Sequence, residues 1–222
     1  MSSAFVVGAT GAVGLELVKL LGENSKFTKV ALLTRRNVDA AKGEKFIQKI
    51  VDFEKLEESS DDIKGFDVGF CALGTTKAKS GADGFYKVDH DYVLNSAKLA
   101  KDNGVKTFVL VSSNHANEKS FFYYLKVKGE VEREIEQLGF EKCIILRPAA
   151  IEATREQPRL SETIGMALLK PLKKLNLANN LTSTTTQIAS AMIVAANIGE
   201  NGTQMWSNAR IIEEAKKYDD VK

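Results

Sequence analysis

Two side chains that can exchange protons, Tyr124 and Lys128, stand four residues apart in a segment with helical periodicity. That spacing places both side chains on one face of a helix. A free tyrosine has a pKa of about 10, and a nearby ammonium group favours the phenolate form. Such a pair could exchange a proton with a carbonyl or alcohol oxygen while a hydride moves to or from a nicotinamide. The alternative interpretation is a half-buried tyrosine beside a solvated lysine.

Two serines come shortly before this helix. Ser112 and Ser113 follow the apolar run Thr107–Val111 and precede Tyr124 by 11 to 12 residues. A hydroxyl group at the end of a strand can orient the substrate oxygen, and we expect Ser113 rather than Ser112 to do so. Lys128 could also bind the hydroxyl groups of a nicotinamide ribose.

Three spaced glycines near the start of the chain indicate where such a cofactor would bind. Gly8, Gly11 and Gly14 follow the apolar run Phe5–Val7 and precede an amphipathic segment. A strand, a glycine turn and a helix start, in this order, favour a pyrophosphate site. Gly8 can take the turn, Gly11 lets backbone approach the phosphates, and Gly14 packs the helix close to the sheet. An ordinary tight turn is the alternative.

A pair of arginines favours NADP(H) over NAD(H). Arg35 and Arg36 come directly after the second predicted strand, where a dinucleotide fold faces the adenosine ribose. A carboxylate at this point suits the 2′-hydroxyl group of NAD, whereas a guanidinium suits a 2′-phosphate. The nearest acid is Asp39, and a solvated charge pair is the alternative interpretation.

Two further strand ends could contact the cofactor. Asp52 follows the third strand and could accept a hydrogen bond from the adenine amino group, while Phe53 could shield the adenine ring. A strand-end turn acid is the alternative interpretation of Asp52. After the fourth strand, the backbone of Ala72 and Leu73 would pass under the pyrophosphate and ribose, where Gly74 permits a close approach.

The elements that must position these residues alternate between strands and helices. Helices are predicted over Asp91–Lys101, Phe122–Leu138, Thr185–Asn197 and Asn208–Lys217, with a short strand around Met205. Such alternation is typical of a parallel sheet covered on both faces. We therefore predict a Rossmann-like, doubly wound α/β fold. Its six main apolar, strand-like runs are Phe5–Val7, Val30–Leu33, Phe46–Val51, Val68–Cys71, Thr107–Val111 and Cys143–Leu146.

The chain changes character after Pro148. Residues 149–183 contain two of the three prolines and no clear strand, so we predict a loop-and-helix insertion on the substrate side, a small C-terminal cap. No repeat, low-complexity tract or linker divides the sequence. We therefore expect residues 1–222 to form a single NAD(P)-binding domain.

Composition limits the classes of partner and compartment. The chain has 222 residues, 44% hydrophobic and 27% charged, with a net charge of +2, so no nucleic-acid partner is implied. No apolar run approaches the roughly 20 residues that span a bilayer. The first strand begins too close to Met1 for a leader peptide. Cys71 and Cys143 lie in apolar runs as reduced thiols without metal-ligand spacing, which fits the cytoplasm.

Four other features receive plainer interpretations. His90 and His115 have no nucleophile or metal partner at a suitable spacing, and we expect polar loop or helix-start positions for them. A second tyrosine–lysine spacing, Tyr218 to Lys222, lies beyond every predicted strand and is interpreted as chance. The basic amphipathic stretch 166–174 could contact a membrane, although most such stretches pack on a core.

At this point the sequence resembles a particular group of atypical short-chain dehydrogenase/reductases. The spacing of the three glycines is similar to that in the extended and atypical branches of this superfamily. The resemblance to the Tat-interactive-protein oxidoreductase and its fungal relatives of the mitochondrial outer membrane runs over residues 3–160. It is densest in Asp67–Thr76, Lys87–Leu94 and Lys126–Glu132.

The resemblance implies an NADP(H) site with Tyr124 as proton acceptor and a cofactor contact from Arg155. Relatives commonly carry Arg-Pro-Gly where this chain has Arg147, Pro148 and Ala149. The Cβ of Ala149 could alter the fit of the backbone near the nicotinamide. A peripheral position on the mitochondrial outer membrane is also implied. The cofactor residues carried over are Gly8, Thr10, Gly11, Ala12, Val13, Arg35, Arg36, Ala72, Leu73, Tyr124 and Lys128.

Two functions remain open from the sequence. The first is an NADP(H)-dependent oxidoreductase acting on a small carbonyl or alcohol substrate. The second is an NADP(H)-binding adaptor or redox sensor that contacts a protein or membrane partner with little turnover. The intact Tyr124–Lys128 pair favours the enzyme.

Overall fold

The computed structural model describes residues 1–152, 182–198 and 200–222. Seven strands there form one parallel sheet in the order β3-β2-β1-β4-β5-β6-β9, and β7 and β8 form a second, two-stranded parallel sheet. The strands are β1 (Ser2–Val7), β2 (Phe27–Thr34), β3 (Phe46–Ile50), β4 (Val68–Cys71), β5 (Thr107–Val111), β6 (Lys142–Arg147), β7 (Ala150–Glu152), β8 (Thr182–Thr184) and β9 (Gly202–Ser207).

Helices cover both faces of the larger sheet. Short 3₁₀ helices span Phe53–Ser59 and Tyr218–Val221, and a π-helical turn spans Lys87–Asp91. The α-helices are α1 (Ala12–Glu23), α2 (Ser60–Ile63), α3 (Lys77–Tyr86), α4 (Tyr92–Asp102), α5 (Tyr123–Gln137), α6 (Thr185–Ile198) and α7 (Asn208–Ala215).

Each face of the sheet buries one set of alternating strand side chains. On β5, Val109 and Val111 join the core under α1 and α6, whereas Phe108 and Leu110 join the core under α4 and α5. Both clusters are apolar, which explains why the strands read as continuous hydrophobic runs. The predicted doubly wound, Rossmann-like α/β fold is therefore confirmed, with its main strands and four predicted helices in place.

The strand order reverses beside β1, and this reversal creates the crevice. The loops after β1 and β4 leave the sheet at the same edge, because both strands pair in parallel. Ligands of doubly wound folds bind outside the carboxyl ends of the strands at such a switch point. The glycine loop and the Ala72–Gly74 backbone are thus brought side by side.

The prediction that residues 149–183 hold no strand is wrong at both ends of that segment. Ala150–Glu152 and Thr182–Thr184 pair as β7 and β8. The buried Asn208 ties the two ends together, because its Oδ1 accepts from the Ala149 amide at 2.9 Å and from the Ser183 hydroxyl at 2.6 Å. A three-residue strand leaves little periodicity to detect, and its pairing partner lies some thirty residues away. Arg155, the cap and the 166–174 stretch lie outside the described residues.

Two searches of the described ranges concern membranes and metals. In residues 1–152, 182–198 and 200–222, no helix has the length and apolar character needed to cross a bilayer. Nor does that part of the chain bring together three or more His, Cys, Asp or Glu side chains that could hold a metal ion.

Candidate active site

The glycine loop between β1 and α1 is built by close backbone contacts. Gly8 has a φ of +84°, and a Cβ there would lie 2.4 Å from the carbonyl carbon of Ala72. A Cβ on Gly14 would lie 2.1 Å from the Gly8 carbonyl oxygen. Both positions therefore require glycine, the first to meet the β4 loop and the second to seat α1 on the β1 loop.

Gly11 has a different environment, because it faces solvent at the start of α1. It occupies the N-cap position with an extended backbone and offers no capping side chain. Its amide donates to the Gly8 carbonyl at 3.0 Å, which closes the turn. The first-turn amides of Ala12 and Val13 have no intrahelical acceptors at this helix end, and with the helix dipole they favour an anion. Thr10, half-buried, completes the loop.

The two arginines after β2 are exposed. The Thr34 hydroxyl donates to the Arg36 carbonyl at 2.7 Å and shapes the turn that carries them. Within the ranges that the structure describes, neither guanidinium forms an ion pair, with Asp39 or with any other carboxylate. The pKa of Tyr92 is raised to about 12, chiefly by burial and then by a hydrogen bond to Glu54. The charge of Arg35 acts in the opposite direction and lowers that pKa, so Arg35 lies near the Tyr92 phenol.

The structure places the two predicted adenine contacts differently. Asp52 is exposed and caps the Phe53–Ser59 helix, with its carboxylate accepting from the Glu54 amide at 3.0 Å. Phe53 is only 5% exposed, and its ring packs 5.3 Å from that of Tyr92. Phe53 is therefore part of the core, and its contact with an adenine ring stays a prediction. The burial of Phe53 could not be predicted from its position at the end of a strand.

Lys128 is buried in an ion pair that the sequence analysis missed. Its Nζ lies 2.7 Å from Oδ1 of Asp89, and the residues are 4% and 1% exposed. Burial, the largest influence, lowers the pKa of Lys128, but Asp89, Tyr124 and Cys71 outweigh it and raise that pKa. The alternative of a solvated lysine is therefore wrong.

Asp89 also contacts the loop after β4. The Oδ2 atom of Asp89 accepts a hydrogen bond from the Thr75 amide at 2.7 Å. A Cβ on Gly74 would lie 3.3 Å from the Oδ1 atom of Asp89, so the loop passes close to this carboxylate. The backbone of Ala72 continues the sheet, with its amide donating to the Val7 carbonyl at 3.0 Å. One carboxylate thus joins Lys128 to the loop predicted to underlie the cofactor.

Tyr124 is accessible to solvent in the first turn of α5. It is 44% exposed, and its ring packs 5.5 Å from that of the buried Phe85. Its charge when ionised acts on Lys128, which agrees with the predicted shared helix face. Gly129 lets the loop before α5 lie against the helix, because a Cβ there would be 2.1 Å from the Glu118 amide nitrogen.

The two serines have different environments, and the preference for Ser113 stays a prediction. The Ser112 amide donates to the Leu146 carbonyl at 2.8 Å, so the strand geometry of β5 continues to Ser112. Its side chain therefore follows Leu110 onto the face that carries α4 and α5. The hydroxyl is buried and has no hydrogen-bond partner among the residues described. Ser113 instead donates to the Asn114 carbonyl at 3.3 Å.

The remaining features are structural. His90 is a buried residue stacked 4.5 Å from Tyr86, not the polar loop or helix-start residue expected, whereas His115 is exposed with a φ of 61°. Tyr218 donates to the Leu20 carbonyl at 3.0 Å from a 3₁₀ helix, so its spacing to Lys222 places no pair on an α-helix.

The sequence shows an aspartate at position 89, but its burial and its contact with Lys128 could not be predicted without the fold. Asp89 and His90 stand in the π-helical turn that joins α3 to α4, and both are buried there. An extra residue in one turn shifts the helical phase, so periodicity at 3.6 residues does not predict their side.

Comparisons with known proteins show the family of this chain. A family model described as NAD(P)H-binding matches residues 8–168. Protein HTATIP2 of Rattus norvegicus is 38% identical over 99% of this chain and 92% of its own length. Protein FMP52-1, mitochondrial, of Scheffersomyces stipitis is 40% identical over 77% of this chain and 76% of its own.

Solved structures share the fold at low sequence identity. MoeE5 in complex with UDP-glucose and NAD has a TM-score of 0.70 at 14% identity, over 99% of this chain and 83% of its own. UDP-glucuronic acid 4-epimerase from Bacillus cereus, in complex with UDP-glucuronic acid and NAD, also has a TM-score of 0.70 at 14% identity. That match covers 92% of this chain and 77% of the epimerase chain. These structures share the Rossmann-like fold of this chain, and the family model places the chain among NAD(P)H-binding proteins. Within that class, the chain belongs to the NAD(P)H-binding family of HTATIP2 and the fungal FMP52 proteins.

Proposed function

We propose that this protein is an NADP(H)-dependent oxidoreductase that reduces a carbonyl compound, with Tyr124 as its proton donor. The observation that carries the proposal is the buried Lys128 ammonium on the helix face of Tyr124. An ammonium group in an apolar site stabilises a neighbouring phenolate more strongly than it would in water. Lys128 and ionised Tyr124 attract each other across that helix face.

The preference for NADP(H) rests on Arg35 and Arg36. The family binds NAD(P)H, and a 2′-phosphate distinguishes the two cofactors. In the described residues both guanidinium groups are exposed and without ion pairs, so each could donate two hydrogen bonds to a phosphate. The pyrophosphate would lie on the Gly8–Val13 backbone, and the Ala72–Gly74 backbone would run beneath it. Asp52 and Arg155 stay predicted contacts.

The chain's own residues have three tasks in the reaction. When bound, the nicotinamide supplies or accepts the hydride at the carbonyl carbon. As the carbonyl oxygen gains charge, Tyr124 gives it the phenolic proton, and in the reverse direction the phenolate takes the proton from the alcohol. The Ser112 hydroxyl, which has no partner among the described residues, donates a hydrogen bond to the same oxygen. Lys128 stays charged throughout.

An NADP(H)-binding adaptor is the second candidate, and one observation favours it. Phe121 and Phe122, immediately before α5, are both exposed, and Phe121 is fully so. Exposed aromatic side chains beside one another are typical of a binding surface. Such an adaptor would act in the cytoplasm or peripherally on the mitochondrial outer membrane, a proposal supported by the mitochondrial names of the fungal relatives.

Replacement of Tyr124 by Phe tests the enzyme proposal directly. The variant keeps the packing on Phe85 and loses one hydroxyl group, so NADPH affinity should stay within a few-fold. Turnover of an aldehyde or ketone found by screening should fall by at least about 10²-fold, the usual contribution of a positioned proton donor.

Tyr123→Phe is the matched control, because Tyr123 precedes Tyr124 on the same helix and also packs near Phe85. It should leave turnover unchanged. Parental turnover in Tyr124→Phe would contradict the reductase mechanism and favour the adaptor.

A further inference from the structure

A single carboxylate joins two parts of the site that are distant in sequence. Asp89 contacts Lys128 through one oxygen and the Thr75 amide through the other, each at 2.7 Å. The first contact reaches the helix that carries Tyr124, and the second reaches the loop after β4. Asp89 itself does not face the crevice mouth, because it is 1% exposed.

We propose that Asp89 is a positioning residue, which holds the Lys128 ammonium charged and directed at Tyr124 and fastens the Gly74–Thr75 backbone to the same point. This inference rests on the proposed function. Asp89 touches neither substrate nor cofactor in this arrangement. It acts through Lys128 and through the loop.

The charge of Asp89 is needed because Lys128 is buried. An ammonium group without a partner in an apolar interior loses its proton at lower pH than one in water. In the described residues, the titratable groups acting on Lys128 are Asp89 from the π-helical turn, Tyr124 from its own helix and Cys71 from β4. Burial raises the pKa of the Cys71 thiol to about 12, so Cys71 is neutral over the working range. Asp89 is therefore the counter-ion at neutral pH.

The geometry is also specific to this carboxylate. A water molecule or a serine in its place could accept one of the two bonds, whereas Asp89 uses separate oxygens for Lys128 and Thr75. Its position in a π-helical turn directs the side chain inward from a segment that α3 and α4 hold at both ends. Movement of the Thr75 loop is thereby linked to the position of Lys128.

Asp89→Asn separates charge from shape. Asparagine keeps the size of the side chain and can accept from one of the two donors through its single oxygen, but its amide nitrogen cannot accept from the other, and it cannot balance the ammonium. Burial then dominates, and Lys128 should titrate at least one pH unit below the parent protein. We expect the alkaline limb of the kcat–pH profile to move down by a similar amount, since catalysis requires the charged lysine.

The titration can be followed by NMR of ¹³Cε-labelled lysine, with the Lys128 signal assigned from its absence in Lys128→Met. Asp91→Asn is the control, because Asp91 is on the same π-helical turn and its carboxylate is about half exposed. In Asp91→Asn the Lys128 signal should titrate as in the parent. The same result in Asp89→Asn would overturn the proposal.

Asp89→Glu covers the case in which Asp89→Asn fails to fold. It keeps the charge but moves the carboxylate by one methylene, so Lys128 should keep its proton over the parental pH range while kcat falls. Titration of Lys128 below the parental range in this variant would also overturn the proposal. The NMR readout needs no turnover. An unshifted Lys128 in a folded Asp89→Asn therefore rejects this inference alone, whereas an active Tyr124→Phe rejects the proposed function.

Discussion

The glycine loop after β1 and the cluster of Asp89, Lys128 and Ser112 lie at the same edge of one sheet, yet they are made in opposite ways. The loop consists of sequence neighbours, and its contacts are between backbone atoms. The cluster draws side chains from a π-helical turn, a helix and a strand end. Where two backbone segments touch, only glycine fits, so such a site can be recognised in the sequence. A side-chain site depends on contacts between distant segments.

The two regions also differ in what they demand energetically. The loop needs space, since a Cβ at Gly8 or Gly14 would overlap backbone atoms. The cluster needs charge balance, since burial of Lys128 without Asp89 would leave an uncompensated ammonium group. The following experiments test that difference.

The largest effect is expected from Gly11→Val. The side chain would enter the space where the pyrophosphate must lie, so NADPH binding should be lost, with affinity falling more than about 100-fold, or more than ~2.7 kcal/mol. Gly11 is exposed, and a Cβ there would be tight only against the Gly8 carbonyl oxygen at 3.3 Å, so the variant should fold with a modestly lower melting temperature. Calorimetric titration with NADPH beside a thermal melt measures both.

Gly22→Ala on the same helix is the control, since a Cβ there would meet only the Phe46 ring at an ordinary 3.6 Å. It should bind NADPH as the parent does. Retained affinity in Gly11→Val would mean that this turn holds no phosphate.

Gly14→Ala and Gly129→Ala compare the two regions at equal steric cost. In each, the new Cβ would lie 2.1 Å from a backbone atom, the Gly8 oxygen or the Glu118 nitrogen. Both should lose about 1–3 kcal/mol of unfolding free energy, the usual cost of overpacking. Gly14→Ala should weaken NADPH binding more, and Gly129→Ala should lower kcat more. Denaturant titration measures the unfolding free energy, and steady-state kinetics with NADPH measures cofactor binding and kcat. Equal losses of NADPH binding and of kcat in the two variants would show that the two regions do not have separate roles.

The double replacement Arg35→Ala with Arg36→Ala tests cofactor choice. We expect the parent to bind NADPH at least tenfold more tightly than NADH, a difference of ~1.4 kcal/mol that suits a charge-assisted phosphate contact. The double variant should lose that preference while its NADH affinity stays near the parental value. Titrations with both nucleotides decide the matter, and an unchanged ratio would exclude the arginines as the phosphate contact.

The effect that is smallest at neutral pH concerns the two thiols. Burial raises the pKa values of Cys71 and Cys143 to about 12, above that of an exposed thiol. Unfolded chains therefore ionise first, and stability should fall as the pH rises from about 8.5 towards 12. At pH 8 the native thiols should alkylate far more slowly than the unfolded ones. Fast native alkylation of Cys71 would show that the site edge opens.

Particular residues show how far sequence reasoning reached. The strands from β1 to β6 were predicted because buried parallel strands are continuous apolar runs, and Gly8 because only glycine fits its φ. The choice between Ser112 and Ser113 stays a prediction, because the sequence does not say which side of the sheet the last strand residue faces. The burial of Phe53 could not be predicted, because it depends on packing against Tyr92, which is far along the chain.

The sequence by itself determined the strand–turn–helix unit, the alternating layers and the pairing of Tyr124 with Lys128, because each follows from neighbours within one or two turns. Only the tertiary structure decided that Asp89 balances Lys128 and that Ser112 lies on the face of α4 and α5. These contacts join residues brought together by a π-helical turn and by the packing of helices on the sheet. Their energies depend on burial, and burial exists only once the chain is folded.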